Sequence, residues 1–222
     1  MQEERLYFQC GDLKLEGLFE EAQSNKGVVI THPHPVYGGD MYNNIVEAIT
    51  WAYHRKGYTT LRFNFRGVGA SHGSYEEGVG EQEDVAAAIR FLKGRRCKEI
   101  HLAGYSFGAW VLAEGLSLYQ DGTHIVMVSP PAAFLEFSPN RPEPRIGLVI
   151  TGSHDEIAPP SLVRSLVEQW NPEAELKIVD GADHFYWGKE HQVSEAIEEY
   201  LTKKTGARSH KSVNRRHENG KR

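Results

Sequence analysis

The sequence predicts an α/β fold: a mostly parallel sheet with helices packed on both faces. Three observations carry this. Short runs rich in Val, Ile and Leu alternate with longer amphipathic stretches along the chain. The central runs are apolar almost throughout, as strands covered on both faces are. Finally, 222 residues with 40% hydrophobic and 25% charged composition are enough for one sizeable core, and length favours one domain.

Taken in chain order, RLYFQC (5–10) and LKLEGLFE (13–20) read as strands joined at Gly11-Asp12, a hairpin signal. GVVITH (27–32) is a short apolar run bounded by turn residues, hence a buried strand. Ile45, Ile49, Ala52 and Tyr53 share one face of a helix over about 42–56, which stops before Gly57. TTLRFNF (59–65) is a strand. GEQEDVAAAIRFLKG (80–94) is a helix with acids at its start and bases at its end, matching the helix dipole. EIHLAGY (99–105) is a strand and FGAWVLAEGLSLYQ (107–120) a helix. HIVMVSP (124–130), RIGLVITG (145–152) and AELKIVDG (174–181) are further strands, with helices at about 160–170 and 188–202.

Composition excludes several classes. No run of about 18 apolar residues is present, so no membrane span is expected. The start, MQEERLYFQC, lacks the apolar core of a signal peptide, and only Cys10 and Cys97 are present, so a cytoplasmic location is expected. The net charge of −5 is uneven: residues 203–222 carry eight Lys/Arg and one Glu, whereas residues 1–202 carry seventeen Lys/Arg against twenty-nine Asp/Glu. The reading is a domain over 1–202 and a basic, disordered tail over 203–222. The tail lacks interleaved aromatics and the body is acidic, so nucleic acid is not expected as a partner beyond a weak contact of the tail.

In an open α/β sheet, ligands bind beyond the carboxyl ends of the strands. After EIHLAGY comes Gly104-Tyr105-Ser106-Phe107-Gly108, a G-x-S-x-G turn between strand and helix. Glycines two before and two after let strand and helix crowd together while the corner serine stands out of the sheet. A serine hydroxyl is a poor nucleophile unless a base takes its proton and an acid orients that base. The chain supplies both in the order Ser, Asp, His: Asp155 comes after RIGLVITG and His184 after AELKIVDG. Asp183 is read as solvated or as a loop cap. His54, His101, His124 and His191 fall on element bodies, where surface or packing roles are expected.

With THPHPVYGGDMYNN, NFRGVGASHGSY, GYSFGA, GSHDEIAP and GADHFYWG in this order, the chain resembles the small bacterial α/β-hydrolases often described as predicted esterases, over about residues 5–202. The resemblance implies an eight-stranded sheet with its second strand antiparallel, and serine hydrolase activity. It implies Ser106 as nucleophile, Asp155 as acid and His184 as base. The basic tail lies outside that pattern.

Acyl transfer also needs two backbone N–H groups aimed at the developing negative charge. Phe107, the residue after the nucleophile, supplies one, and the loop THPHPVYGG (31–39) supplies the other. Pro33 and Pro35 have no N–H and stiffen the loop, leaving His34 and Val36. The resemblance selects His34, through its amide rather than its imidazole, with His32 bracing the loop by side-chain hydrogen bonds. Reading His32 and His34 as metal ligands, with Asp40 and His72, is the alternative; the triad already accounts for the chemistry, so no metal and no cofactor is expected. NFRGVGASHGS (64–74) is read as a mobile wall of the cleft in preference to a phosphate cradle, since it lacks a succeeding G-K-[ST].

The segment AAFLEFSPNRPEP (132–144) is too short for a cap domain. The pocket is therefore expected to be open, walled by Tyr37, Phe134, Phe137 and Tyr186 beside Phe107, and to suit short-chain acyl esters. A thioesterase or peptidase with the same triad, and a non-catalytic binding protein on this fold, are the alternatives. Nothing in the sequence fixes the oligomeric state.

Overall fold

The computed structural model describes the backbone of residues 2–138 and 142–218, and the side chains of those up to residue 204. Eight strands form one sheet in the order β1-β2-β4-β3-β5-β6-β7-β8. They are β1 (Glu4–Cys10), β2 (Leu13–Glu20), β3 (Lys26–Thr31), β4 (Thr59–Phe63), β5 (Glu99–Tyr105), β6 (Gly122–Val128), β7 (Ile146–Gly152) and β8 (Glu175–Val179). β2 runs antiparallel to both β1 and β4, and every other pairing is parallel. The helices are α1 (Asn44–Arg55), α2 (Val79–Gly94), α3 (Phe107–Glu114), α4 (Pro160–Trp170) and α5 (Glu190–Glu218).

The alternation of side chains along each strand divides the core in two. Val28 and Ile30 of β3, Ala103 and Tyr105 of β5, and Val126 and Val128 of β6 pack with Ile45, Ile49 and Tyr53 of α1 and Val193, Ile197 and Tyr200 of α5. Val29, Leu102, Ile125 and Met127, on the opposite face, pack with Val85, Ile89 and Leu92 of α2, Val111 and Leu112 of α3, and Val163 and Trp170 of α4. The central strands are apolar in both phases because both faces are covered.

Two elements differ from the sequence reading. α3 stops at Glu114 instead of reaching residue 120. Gly115 lies against the Tyr119 ring, and Leu118 N–H closes a short turn on Gly115 C=O (2.8 Å). The fully buried Tyr119 turns the chain back toward the sheet, so packing outweighs local helix propensity. α5 continues as helix through Glu218, across most of the stretch read as a disordered tail, and residues 219–222 of that stretch lie outside the described residues. Once nucleated on the core face of α5, a helix rich in Lys and Arg propagates at little cost per residue, with Gly206 the one strong breaker. No helix among the described residues is long and apolar enough to cross a membrane.

Candidate active site

The carboxyl ends of β3, β5, β6, β7 and β8 converge on one site, and each loop there is shaped by a local constraint. At the end of β5 the chain turns directly into α3, and Ser106 at the corner takes φ 54° and ψ −120°. This is a left-handed region that costs a non-glycine residue about 1–3 kcal/mol, so it persists only where its surroundings impose it. They do: a Cβ on Gly104 would lie 2.7 Å from Gly108 C and 2.7 Å from Thr31 Oγ1, and one on Gly108 would lie 2.7 Å from His32 C=O. Ser106 N–H donates to Val128 C=O at 2.9 Å, tying the corner to β6.

Ser106 Oγ lies 2.9 Å from His184 Nε2, and His184 Nδ1 lies 2.9 Å from Asp155 Oδ2 and 3.0 Å from Oδ1. The three residues expected from chain order thus meet. Asp155 is only 2% exposed. Its Oδ1 accepts from Ile157 N–H (3.0 Å) and Ala158 N–H (2.7 Å), and its Oδ2 from Ser129 Oγ–H (2.6 Å). Burial alone would raise this carboxyl, but the hydrogen bond and charge of His184, with Ser129 and the Ala158 amide, outweigh it and hold Asp155 below its ordinary value. The acid and histidine loops are joined by His154 N–H on Ala182 C=O (2.8 Å) and Gly181 N–H on Ser153 Oγ (2.8 Å). Asp183 is a loop cap: its Oδ1 accepts from the amides of Phe185 and Tyr186.

The loop after β3 is rigid for identifiable reasons. His32 is fully buried, its Nδ1–H donates to Pro33 C=O (2.7 Å), and its Nε2 accepts from Phe65 N–H (3.0 Å). Burial pushes its pKa down to about 4, so the ring is neutral and in the Nδ1–H tautomer. Pro35–Tyr37 form one short helical turn, and Val36 N–H is taken by His34 Nδ1 (3.3 Å). The His34 and Phe107 amides have no protein acceptor among the described residues. The two rings meet at 4.6 Å between centroids, tilted by 45°. Both ring nitrogens of His32 and the Nδ1 of His34 thus hold the loop together through hydrogen bonds.

The glycine-rich loop after β4 is tied down. Arg66 pairs with Asp84 (2.8 Å) and Glu76 (2.7 Å). Ala70 N–H and Asn64 Nδ2 both donate to buried Glu16 (2.9 Å each), and Ser71 Oγ donates to Asn64 C=O (2.7 Å). The donors that a phosphate would need are bound to carboxylates and backbone carbonyls, and the wall is pinned rather than mobile. A cavity of about 410 Å³ lies between this loop and the outer side of the β3 loop, lined by Pro35, Val36, Asp40, Val68 and Tyr75.

Of the four residues expected to wall the pocket, two stand at its mouth. Tyr37 (72% exposed) and Phe134 (59%) meet at 6.2 Å, and ring contacts run from Tyr37 through His34 to Phe107. Phe137 instead packs on Trp170 of α4 (5.4 Å), because Trp110 Nε1–H on Glu136 C=O draws its segment toward the helices. Tyr186 is fully buried; at φ 55° the backbone turns its ring inward, and its hydroxyl lies 2.7 Å from Ser129 Oγ. It stands behind the acid rather than in front of the serine. Sequence reading missed Ser129, although its place directly after β6, at the same sheet edge as the triad, is a signal that could have found it. It also missed Tyr105, whose hydroxyl holds His184 C=O at 2.7 Å.

A hydroxyl, an imidazole and a carboxylate in line, beside two free amides, can generate an alkoxide nucleophile and receive an oxyanion. The model of the family described as "Alpha/beta hydrolase family" matches residues 29–147. The chain is 33% identical to an uncharacterized protein of Rickettsia prowazekii (strain Madrid E), over 95% of this chain and 94% of that one. Among solved structures it resembles an alpha-beta serine hydrolase homologue from Coxiella burnetii (33% identity, 90% of this chain and 98% of that one, TM-score 0.83). A further likeness is to a Xanthomonas campestris protein described as an a/b serine hydrolase without a lid (28% identity, 91% and 95% covered, TM-score 0.83).

Proposed function

The chain belongs to the alpha/beta hydrolase family, and from that premise we propose that it cleaves short-chain carboxylic esters through an acyl-enzyme on Ser106. The single observation that carries this is the Ser106–His184–Asp155 alignment at 2.9 Å per step. His184 Nε2 takes the serine proton as Oγ attacks the ester carbonyl. Asp155 fixes the Nδ1–H tautomer and balances the imidazolium that forms. The amides of Phe107 and His34 receive the oxyanion, and the imidazolium then returns its proton to the departing alcohol. Water repeats the sequence on the acyl-enzyme and regenerates the serine. The exposed rings of Tyr37 and Phe134, 6.2 Å apart at the mouth, support small acyl groups.

The test is fluorophosphonate labelling together with p-nitrophenyl acetate and butyrate turnover. Both are expected in the wild type and both are lost in Ser106→Ala, with a rate drop of at least about 10³. Dodecanoyl esters are expected to turn over more slowly than butyryl ones, and the opposite order would overturn the short-chain assignment. Faster cleavage of a matched thioester or amide would reassign the bond. A folded wild type that takes no label would return the protein to the class of binding modules.

A further inference from the structure

The end of the sheet opposite the triad carries a second cluster of chemically capable side chains. Glu99 and His101 are the first and third residues of β5, so their side chains share a face. His124 belongs to β6 and joins them through an irregularity in the ladder. Ile100 pairs with Gly122, but His101 pairs with His124, leaving Thr123 as the extra residue. Thr123 Oγ–H donates to Ile100 C=O at 3.1 Å and pins this bulge. In an unbroken register His101 would face Thr123, and His124 would point to the other side of the sheet. Bulges re-aim side chains in this way. The result is two imidazoles 4.8 Å apart between centroids, with one ligand atom from each of Glu99, His101 and His124 lying within 4.8 Å of the others.

We propose that Glu99, His101 and His124 form a binding site for a divalent transition metal of the zinc type. Two imidazole nitrogens and a carboxylate oxygen are a donor set that zinc and its neighbours accept, with water completing the tetrahedron. The surroundings suit it. Tyr53 Oη lies 3.4 Å from His101 Nδ1, and His101 Nε2 faces Glu99 Oε1 at 3.2 Å with Tyr58 Oη at 3.5 Å, a weaker contact that an ion would displace. A proton on Nδ1 donated to Tyr53 would fix the tautomer that turns the Nε2 lone pair toward the carboxylate. His101 is buried, so it is the fixed ligand. Glu99 and His124 are partly exposed, which gives the ion a path in and lets both side chains close to the roughly 3.3 Å spacing that metal–ligand bonds of about 2 Å require. Ser106 lies five positions along the strand from His101, about 17 Å, so the ion takes no part in catalysis. It would clamp β5 to β6, the strands that deliver Ser106 and Ser129.

The experiment uses the full chain, stripped with chelator and titrated with cobalt(II) by visible absorption and with zinc by calorimetry and thermal melting. One equivalent of cobalt with the intense bands of tetrahedral N/O coordination is expected, with a melting temperature that rises on zinc addition. Glu99→Gln and His124→Gln are each expected to weaken binding at least about tenfold while leaving the metal-free melting curve and Ser106 labelling in place. Glu99→Gln keeps the shape of a partly exposed side chain, so a folding failure of the histidine variant would not remove the test. Absence of saturable binding below about 0.1 mM metal would overturn the proposal and leave a hydrogen-bonded histidine cluster. Binding of undiminished strength in both variants would also overturn it, assigning the ion to other histidines of the chain.

Discussion

At residue 34 the amide and the imidazole can be separated experimentally, because the backbone there already has proline geometry. His34 has φ −59° and ψ 121°, and its N–H has no protein acceptor among the described residues. His34→Pro therefore deletes one N–H without bending the loop, and should lower kcat by about 10²–10³, the usual loss of one oxyanion donor. His34→Ala keeps the amide and loses only the ring contacts with Phe107 and the Val36 cap, so a drop of less than about tenfold is expected. Equal losses in the two variants would place the function in the ring. Ser129 poses a parallel question behind the acid. Its single proton goes to Asp155 Oδ2, so Tyr186 must donate to Ser129, and the pair form a relay that holds the carboxylate from the side away from His184. Ser129→Ala should reduce kcat with KM little changed and shift the acid limb of the pH–rate profile, because Asp155 loses one of the bonds that stabilise its charge. Tyr186→Phe should do the same more weakly. A loss confined to thermal stability would reduce both to packing residues.

The elbow shows how elements, rather than single side chains, set the site. The start of α3 lies against the end of β3 so closely that a Cβ on Gly108 would sit 2.6 Å from Thr31 Oγ1 and 2.7 Å from His32 C=O. Gly108→Ala must push the helix away from the strand, which separates the Phe107 amide from the His34 amide. The expected cost is about 1–3 kcal/mol of stability with a fall in kcat larger than the fall in folded fraction. Unchanged kcat per folded molecule would mean the two amides do not act together. This level of organisation was legible in the sequence, because strand-end position is a rule of topology and the chain order Ser106, Asp155, His184 meets it at three separate strand ends. Side-chain direction was not legible. Phe134 and Phe137 are three residues apart in one loop, yet only Phe134 reaches the mouth; Tyr186 lies two residues from His184 and faces the core through a positive φ. The pairing of His101 with His124 depends on a bulge that composition does not announce. The end of α3 was missed because it is fixed by buried Tyr119, whose hydroxyl donates to Gln82 C=O of α2 and Val111 C=O of α3, a tertiary contact with no local signal.

For the molecule as a whole, the buried neutral His32 couples the order of the loop after β3 to global stability. Its folded pKa is about 4 against about 6.5 when exposed, because burial excludes the charged ring. Between those values the unfolded chain binds a proton that the native state refuses, so stability rises with pH across the window and is lost as pH falls through it. The full difference amounts to about 3 kcal/mol, a large share of what a domain of this size has to spare. His34, also depressed by burial, acts in the same direction. Asp155 acts in a lower window: its carboxyl is held below the ordinary value, so its contribution is intact above that value and fades only as pH drops through the folded one. Acid should therefore loosen the protein in two stages, with the first set by the loop that carries the His34 amide. Urea melts between pH 7 and 4.5 measure this directly. His32→Gln should be less stable than wild type at pH 7, having lost the bond from Phe65 N–H, yet it should show a shallower fall toward pH 4.5 by close to one proton. Parallel curves for the two proteins would mean that His32 is protonated in the native state, and the rigidity of the loop would then need a different source from the neutral ring.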